Sequence, residues 1–284
     1  MVLVMIDQPC GPLVDAFRLV SDGPQLKVTD LAVTRGDGIF ETALVRGGVI
    51  LSEERHLIRL ERSAAMLDLP TPDREVYRAA TRAAVAELDE GFVKYVLSRG
   101  DEENPAGPLG WAFATSSPDL SDQRGVGIAV VLLDRGYSLD VPHTSPWLLA
   151  GAKTLSYAVN KAVLREAARR GASDVIFTST DGYLLEGPTS TLVARFGDEL
   201  VTTRPEGGVL PGTTQEDLFD ALGPLGLRGV VRDVRVEELA TADAVWLVSS
   251  IRLAMPVNAI DGVAIAVDHE LTERFTQILQ ARTS

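Results

Sequence analysis

Apolar and polar residues alternate over short stretches at the start of the chain. Strand-length runs cover Val2 to Ile6, Lys27 to Val33 and Phe40 to Val45, and the turn Gly47-Gly48 leads into Val49 to Leu51. This pattern predicts an antiparallel meander.

Helical periodicity follows the meander. Ser52 has the character of an N-cap, with acidic residues in the next two positions, and Pro70 marks the end of the helix. The apolar face of this helix is predicted to contain Leu57, Leu60, Ala64 and Leu67. Further along we expect a helix from Asp73 to Leu88, a strand from Phe92 to Ser98, a loop from Arg99 to Gly110 and a strand from Trp111 to Thr115.

A polar, turn-prone stretch from Ser116 to Gly125 suggests a boundary between domains 1–120 and 121–284. The fully apolar run from Val126 to Leu133 predicts a buried strand at the start of the second domain. The remaining expected elements are helices from about Tyr157 to Arg170, from near Thr214 and from about Glu270, and strands at Asp174 to Thr178, Thr191 to Phe196, Leu200 to Thr202, Gly229 to Val234 and Val245 to Val248. Because strands often follow strands, two α+β domains fit better than a regular βαβ array.

Composition narrows the function classes. The chain has 284 residues, 45% of them hydrophobic and 24% charged, which is typical of a soluble globular protein. A net charge of -13 disfavours nucleic-acid binding, so an anionic ligand must be held by a few local cations. The single cysteine, Cys10, excludes an internal disulfide, and the scattered histidines predict no metal site. Without a basic leader or a long apolar span, we expect a cytoplasmic protein with no membrane partner.

Lys153 stands in AGAKTLSYAVNKA, between an apolar run and a helix. Small and apolar neighbours suit a partly buried lysine that acts as a Schiff-base nucleophile, whereas the more ordinary interpretation is a helix-entry lysine with its ammonium in water. The segment is not a nucleotide-binding phosphate loop, because Ala152 and Trp147 occupy the positions where that motif has glycines.

Three other sites could serve a phosphorylated ligand. In LPGTTQEDL, Gly212 permits a tight turn and Thr213 and Thr214 can cap a helix while facing an anion. Arg59, on a helix flank, could bind a phosphate through two hydrogen bonds. Glu186 ends a predicted strand, where a carboxylate could keep a ring nitrogen protonated. Taken singly, each is more commonly a capped helix, a surface arginine or a turn glutamate.

Eight segments in order resemble the fold-type-IV enzymes that use pyridoxal 5'-phosphate (PLP), a group containing branched-chain aminotransferases, D-amino-acid aminotransferases and aminodeoxychorismate lyases. They are GDGIFETALV, HLIRLERS, VKYVLSRG, KTLSYAVN, DGYLLEGPTSTL, LPGTTQ, ADAVWLVSS and MPV, spanning residues 36 to 257. The resemblance implies a two-domain α/β-type fold with the cofactor between the domains, usually in a homodimer.

The resemblance also implies roles for individual residues. Lys153 matches the Schiff-base lysine, Glu186 the partner of the pyridine nitrogen and Arg59 a phosphate ligand. The remaining cofactor contacts implied are Gly212, Thr213, Thr214, Ser249, Ser250 and, on the phenolic oxygen, Tyr157.

Features of three segments favour an aminodeoxychorismate lyase, which releases pyruvate and forms 4-aminobenzoate for folate synthesis. VKYVLSRG resembles the lyase form of that strand, with Lys94 toward the substrate, and the stretch from Lys153 to Leu192 resembles an actinobacterial lyase-like subgroup. Arg252 is expected on the substrate side, where the substrate carboxylates need cations. Thr42 is a candidate for orienting the leaving group.

One departure weakens that scheme. Well-known lyases carry another arginine in the loop after SRG, but here the loop is the acidic DEENPAGPLG, so Arg252, Arg46 or the second subunit must substitute. The alternatives are a branched-chain or D-amino-acid aminotransferase and, less favoured, a catalytically silent PLP-binding protein. The 134 to 145 loop, with His143, is a candidate for closing over the site.

Overall fold

The computed structural model describes residues 1–20, 23–102 and 107–282. The chain divides into two compact units. The first consists of residues 1–118 and 152–157, and the second of residues 119–151 and 158–282.

The first unit is an antiparallel sheet with helices packed on one face. Its strands run in the order β2-β1-β6-β5-β3-β4. The elements are β1 Val2–Ile6, β2 Phe17–Val20, α1 Leu31–Thr34, β3 Gly38–Arg46, β4 Val49–Ile50, α2 Glu53–Met66, α3 Arg74–Val85, β5 Glu90–Ser98 and β6 Leu109–Thr115.

Alternate residues of strand β3 form part of the buried core of this unit. Ile39, Glu41, Ala43 and Val45 alternate along the strand and are fully buried. The apolar face of α2 packs here, with Leu57 and Leu60 each 1% exposed.

The second unit is a mixed sheet in the order β11-β10-β9-β12-β13-β7-β8, with β14 paired to β13. β7 lies parallel to both β8 and β13, whereas β9, β10, β12 and β13 form antiparallel neighbours. The elements are α4 Ser121–Val126, β7 Ile128–Asp134, α5 Val141–Thr144, α6 Ala158–Arg169, β8 Asp174–Thr178, β9 Thr191–Phe196, β10 Glu199–Thr202, α7 Thr213–Asp220, β11 Arg228–Val231, β12 Ala244–Ser249, β13 Leu253–Ile260, β14 Val263–Ala264 and α8 His269–Gln280.

The last helix is fixed to this sheet through Trp246. The indole Nε1 donates to the Thr272 hydroxyl at 2.8 Å, and the ring meets Phe275 edge-on at 5.2 Å between centres. A fully buried tryptophan contributes a large apolar contact area, and the hydrogen bond from its N–H fixes the orientation of the ring.

The structure differs from the sequence predictions in several places. Lys27 to Val33 is not a strand, because Asp30 caps α1 by accepting the Ala32 N–H at 2.8 Å. The polar stretch before β7 contains α4, and β13 was not predicted. Lys153 was predicted to lie in the second domain, but residues 152–157 belong to the first unit.

The loop that follows Ser98 is only partly described, because residues 103–106 of the acidic DEENPAGPLG segment lie outside the described residues. In the part that is described, Asp101 pairs with Lys27 at 2.8 Å.

Candidate active site

The segment that carries Lys153 is paired with the first half of β3. Phe40 donates its N–H to the Lys153 carbonyl at 3.0 Å, and Leu155 donates to the Gly38 carbonyl at 2.8 Å. β4 pairs only with the opposite end of β3, at Val45 and Arg46. Residues 153–155 therefore extend the sheet along β3 and hold the backbone of the lysine in register.

Glycine is required at position 38 by this close approach. A Cβ there would lie 2.7 Å from the Leu97 carbonyl oxygen and 2.9 Å from the Leu155 side chain. The GDGIFETALV motif thus has a packing reason for its second glycine.

Lys153 shares an aromatic ring with a second amine. Its Nζ lies 4.6 Å from the centre of the Phe40 ring, and the Nζ of Lys94 lies 4.4 Å from the same centre. Tyr157 meets that ring edge-on at 5.3 Å between centres. Because the face of an aromatic ring attracts cations, Phe40 helps to place both amines.

Thr42 belongs to the same group. It lies opposite Lys94 in the β3–β5 register and two residues from Phe40, so its side chain points to the same face of the sheet. The structure therefore brings Lys153, Tyr157, Lys94 and Thr42 together around one ring that the sequence did not single out.

Arg59 is on α2, one turn before a residue that contacts the backbone of Lys153. Ser63 lies four residues after Arg59 on the same helix face, and its hydroxyl accepts the Lys153 N–H at 3.2 Å. Arg59 is 8% exposed, so it is not the surface arginine that its local sequence suggested.

A buried carboxylate binds this arginine. Glu41 accepts from Arg59 Nε at 2.7 Å and from Nη2 at 2.8 Å, and His56 Nδ1 lies 2.7 Å from the same carboxylate. Burial alone would raise the pKa of Glu41, but the attraction of Arg59 and the hydrogen bonds from Arg59 and His56 outweigh it and hold that pKa below its ordinary value. Glu41 therefore stays ionised.

Sequence reasoning missed Glu41 and His56. The signal was present, because strand alternation puts Glu41 on the buried face between Ile39 and Ala43, and His56 and Arg59 are three residues apart on one helix. A carboxylate at a core position requires a cationic partner.

The second unit contains a separate group around Glu186. Its carbonyl accepts the Phe177 N–H at 2.8 Å, which continues the pairing of this segment with β8. The Arg135 guanidinium stacks over the Phe177 ring at 4.4 Å. Burial raises the pKa of Tyr137, and the negative charge of Glu186 adds to the rise while Arg135 opposes it. Arg135 and Tyr137, in the loop after β7, are thus electrostatic neighbours that the sequence did not indicate.

The turn before α7 has the chemistry of an anion site. Gly212 stands at the N-cap of α7, and Thr213 and Thr214 are 3% and 2% exposed. A Cβ on Gly212 would lie 2.3 Å from the Thr191 hydroxyl. The Thr214 and Ser250 hydroxyl oxygens are 3.4 Å apart, and Ser249 immediately precedes at the end of β12. Hydroxyls and backbone N–H groups at a helix start are suited to a phosphate.

Two predicted substrate ligands are placed elsewhere or are already engaged. Arg46 is exposed at the end of β3 that lies opposite the Lys153 segment. It is seven residues from Ile39, which corresponds to roughly 23 Å along the strand. Arg252 forms an ion pair with Asp174, which is fully buried. Binding a substrate through Arg252 would compete with that pair. His143 is exposed on α5.

Membrane-spanning helices and clustered metal ligands are absent from residues 1–20, 23–102 and 107–282. No helix in these ranges has the length and apolar character needed to cross a bilayer. The same ranges contain no group of three or more His, Cys, Asp or Glu side chains arranged to hold a metal ion.

The groups present fit a phosphorylated pyridine aldehyde. They comprise a lysine amine, a carboxylate in the segment paired with β8, an arginine and a hydroxyl-rich helix start. An amine can bond an aldehyde, a carboxylate can pair with a protonated ring nitrogen, and guanidinium, hydroxyl and N–H groups can bind a phosphate.

Comparison with known proteins agrees with this chemistry. The family model described as amino-transferase class IV matches residues 38–260. The chain is 45% identical over 252 residues to a bifunctional aminodeoxychorismate lyase / D-amino acid transaminase of Mycobacterium tuberculosis, covering 84% of this chain and 87% of the relative.

Solved structures match along nearly the whole chain. A fold IV transaminase from Curtobacterium pusillum superposes with a TM-score of 0.95 at 47% identity, covering 99% of both chains. The PLP-bound form of a hypothetical aminotransferase from M. tuberculosis superposes with a TM-score of 0.90 at 40% identity, covering 99% of this chain and 98% of the other.

Proposed function

Because the chain belongs to the class IV aminotransferase family of PLP-dependent enzymes, we propose that it is a 4-amino-4-deoxychorismate lyase that releases pyruvate and forms 4-aminobenzoate for folate synthesis. The observation that carries the proposal is the position of Lys94, whose Nζ lies over the same Phe40 ring as the Nζ of Lys153. A second cation there suits a ring substrate that bears carboxylates, and one of the two activities in the name of the 45% identical relative is this lyase activity.

In this proposal the predicted cofactor residues have distinct roles. Lys153 would bond the cofactor aldehyde, Glu186 would pair with the pyridine nitrogen, and Arg59 and the 212–214 turn would bind the phosphate. Tyr157, Ser249 and Ser250 would supply the remaining cofactor contacts. When bound, PLP supplies a protonated ring that accepts the electron pair released at the substrate carbon.

Lys153 also moves the proton. Its amine takes the ring proton from the amine-bearing carbon of the substrate. The bond between the ring and the enolpyruvyl oxygen then breaks and the ring becomes aromatic. The leaving enolpyruvate takes the proton that Lys153 accepted and becomes pyruvate. Lys94 binds a substrate carboxylate, and Thr42 orients the leaving group. Aromatisation drives the reaction, so a second substrate is not needed.

The second candidate is an aminotransferase. It is favoured by the Curtobacterium transaminase at 47% identity and by the transaminase activity in the name of the M. tuberculosis relative. In that case Lys153 would move a proton from the substrate carbon to the bound cofactor, and a keto acid would be needed as second substrate to accept the amino group.

One incubation separates the two. The purified enzyme is mixed with aminodeoxychorismate alone, and 4-aminobenzoate is followed by fluorescence. Repeated turnover without a keto acid supports the lyase. Absence of turnover, together with amino transfer from D-alanine or a branched-chain amino acid to 2-oxoglutarate, would replace it with the aminotransferase.

We propose further that the protein is a cytoplasmic homodimer. Apolar side chains of the second unit support the dimer, since Trp147, Leu148 and Val159 are 72%, 55% and 54% exposed. Light scattering coupled to gel filtration measures the mass directly, and a monomeric mass of 30.5 kDa would contradict the dimer.

A further inference from the structure

Glu41 is a charged residue that is completely buried in the first unit, in contact with Arg59. It is 0% exposed, and its described partners are Arg59 and His56. Its neighbour Tyr95 is also buried, and both burial and the charge of Glu41 keep the pKa of that phenol above its usual value. Burying an ionised carboxylate costs free energy. The ion pair with Arg59 and the hydrogen bond with His56 offset that cost.

The contact fixes the plane of the guanidinium. Glu41 binds the edge formed by Nε and Nη2, with both distances below 2.9 Å. A planar guanidinium gripped along one edge cannot rotate about its bond to the side chain. An anion bound by Arg59 must then meet the N–H groups that point away from Glu41, two on Nη1 and one on Nη2, and their direction is set by Glu41.

We propose that Glu41, held by His56, is a positioning residue that aims Arg59 at the cofactor phosphate. The inference rests on the proposed role of Arg59 as a phosphate ligand. Glu41 does not touch the cofactor in this scheme. It acts through the arginine, so its effect must depend on the phosphate and must disappear when Arg59 is removed.

The variant Glu41→Gln disrupts the paired hydrogen bonds to Arg59 without changing the size of the side chain. An amide has one accepting oxygen and one donating NH₂ group. Whichever way it is turned, the NH₂ group faces a donor of Arg59 or of His56, so the three contacts cannot all survive. The loss of a hydrogen bond to a charged group corresponds to about tenfold or more in affinity.

The measurement compares two cofactors on the full chain after PLP is removed. PLP and pyridoxal, which lacks the phosphate, are titrated by absorbance. The readout is the ratio of the dissociation constant of pyridoxal to that of PLP, so weaker PLP binding lowers the ratio. We expect Glu41→Gln to weaken PLP binding about tenfold and to leave pyridoxal binding unchanged. Glu54→Gln is the matched control, because Glu54 is a half-exposed carboxylate of α2 paired with Arg74 and Arg78, and its ratio should stay at the wild-type value.

A double-mutant cycle with Arg59→Ala tests the route of the effect. If Glu41 acts through Arg59, adding Glu41→Gln to Arg59→Ala changes the ratio no further. An unchanged ratio in the single Glu41 variant overturns the proposal, and so does an equal loss of both cofactors, which would indicate a structural role.

Failure of the underlying assignment gives a different result. If Arg59→Ala itself keeps the wild-type ratio, Arg59 is not a phosphate ligand and both ideas fall together. If Arg59→Ala lowers the ratio but Glu41→Gln does not, only the positioning role is lost. Should Glu41→Gln not fold, Glu41→Asp keeps the charge but shortens the reach, and the same fall in the ratio is expected.

Discussion

Lys94 and Lys153 approach the same aromatic ring, with their Nζ atoms 4.4 and 4.6 Å from the centre of Phe40. The chain carries a net charge of -13, so this is a local concentration of positive charge against the overall trend. Such a pair can attract an anionic substrate while one of its members performs the chemistry.

Replacing Lys94 should impair substrate binding but not cofactor binding. For Lys94→Gln we expect KM for aminodeoxychorismate to rise about tenfold, because a charged contact to a carboxylate is lost, with the absorbance of bound PLP unchanged. Steady-state assays measure KM, and Lys161→Gln, on the exposed side of α6, is the control. An unchanged KM would remove Lys94 from the substrate site.

Removing Lys153 should abolish both turnover and the covalent bond to the cofactor. Borohydride reduction of the loaded wild type should add the mass of reduced PLP to the peptide that contains Lys153. Lys153→Ala should show no such mass and no product. Lys161→Ala should keep both, and substantial activity in Lys153→Ala would sink the assignment of the lysine.

Alanine at position 212 should weaken PLP binding by disturbing the start of α7. The new Cβ would lie 2.3 Å from the Thr191 hydroxyl, so the turn must shift away from β9. We expect about a tenfold loss of PLP affinity, as for a lost charged hydrogen bond. At Gly223 a Cβ meets nothing within 4 Å, so Gly223→Ala should retain wild-type affinity. Equal affinity in the two variants would argue against the turn as a phosphate site.

Cys10 should react slowly in the folded protein. Burial first, and then the charge of Asp73, raise the pKa of its thiol from 9.0 to about 11. Ionising the thiol therefore costs more in the folded than in the unfolded chain, and stability should decline as the pH rises through 9 toward 11. Iodoacetamide labelling across this range should reach half its maximal rate near pH 11 in the native protein. A midpoint near 9, as in urea, would contradict the shift.

The fold class predicted from the sequence is confirmed by the match to fold-type-IV structures. Regular periodicity predicted the long elements well, as with α3, which was expected from Asp73 to Leu88 and runs from Arg74 to Val85 with Asp73 as its N-cap. Ser52 stands at the predicted N-cap position of α2, but its φ of 55° and the absence of a cap hydrogen bond from its side chain show that position alone does not define a cap.

Local pattern could not reveal contacts made across elements. Asp30 overrides strand propensity through one hydrogen bond to the backbone, and the Glu41–Arg59 pair joins residues 18 apart. Phe40 was inside a recognised motif, yet its role as the common neighbour of two lysines depends on the pairing of residues 153–155 with β3. The roles assigned to the site residues stay predictions until the variants above are measured.

The return of residues 152–157 to the first unit constrains how this protein can be dissected. A fragment ending at residue 118 would keep Arg59, Glu41 and Phe40 but would lack Lys153, and the edge of β3 would be left open for aggregation. A chimera that exchanges the first unit with a relative must transplant two separate stretches of gene, because the nucleophile is encoded in the midst of the other unit.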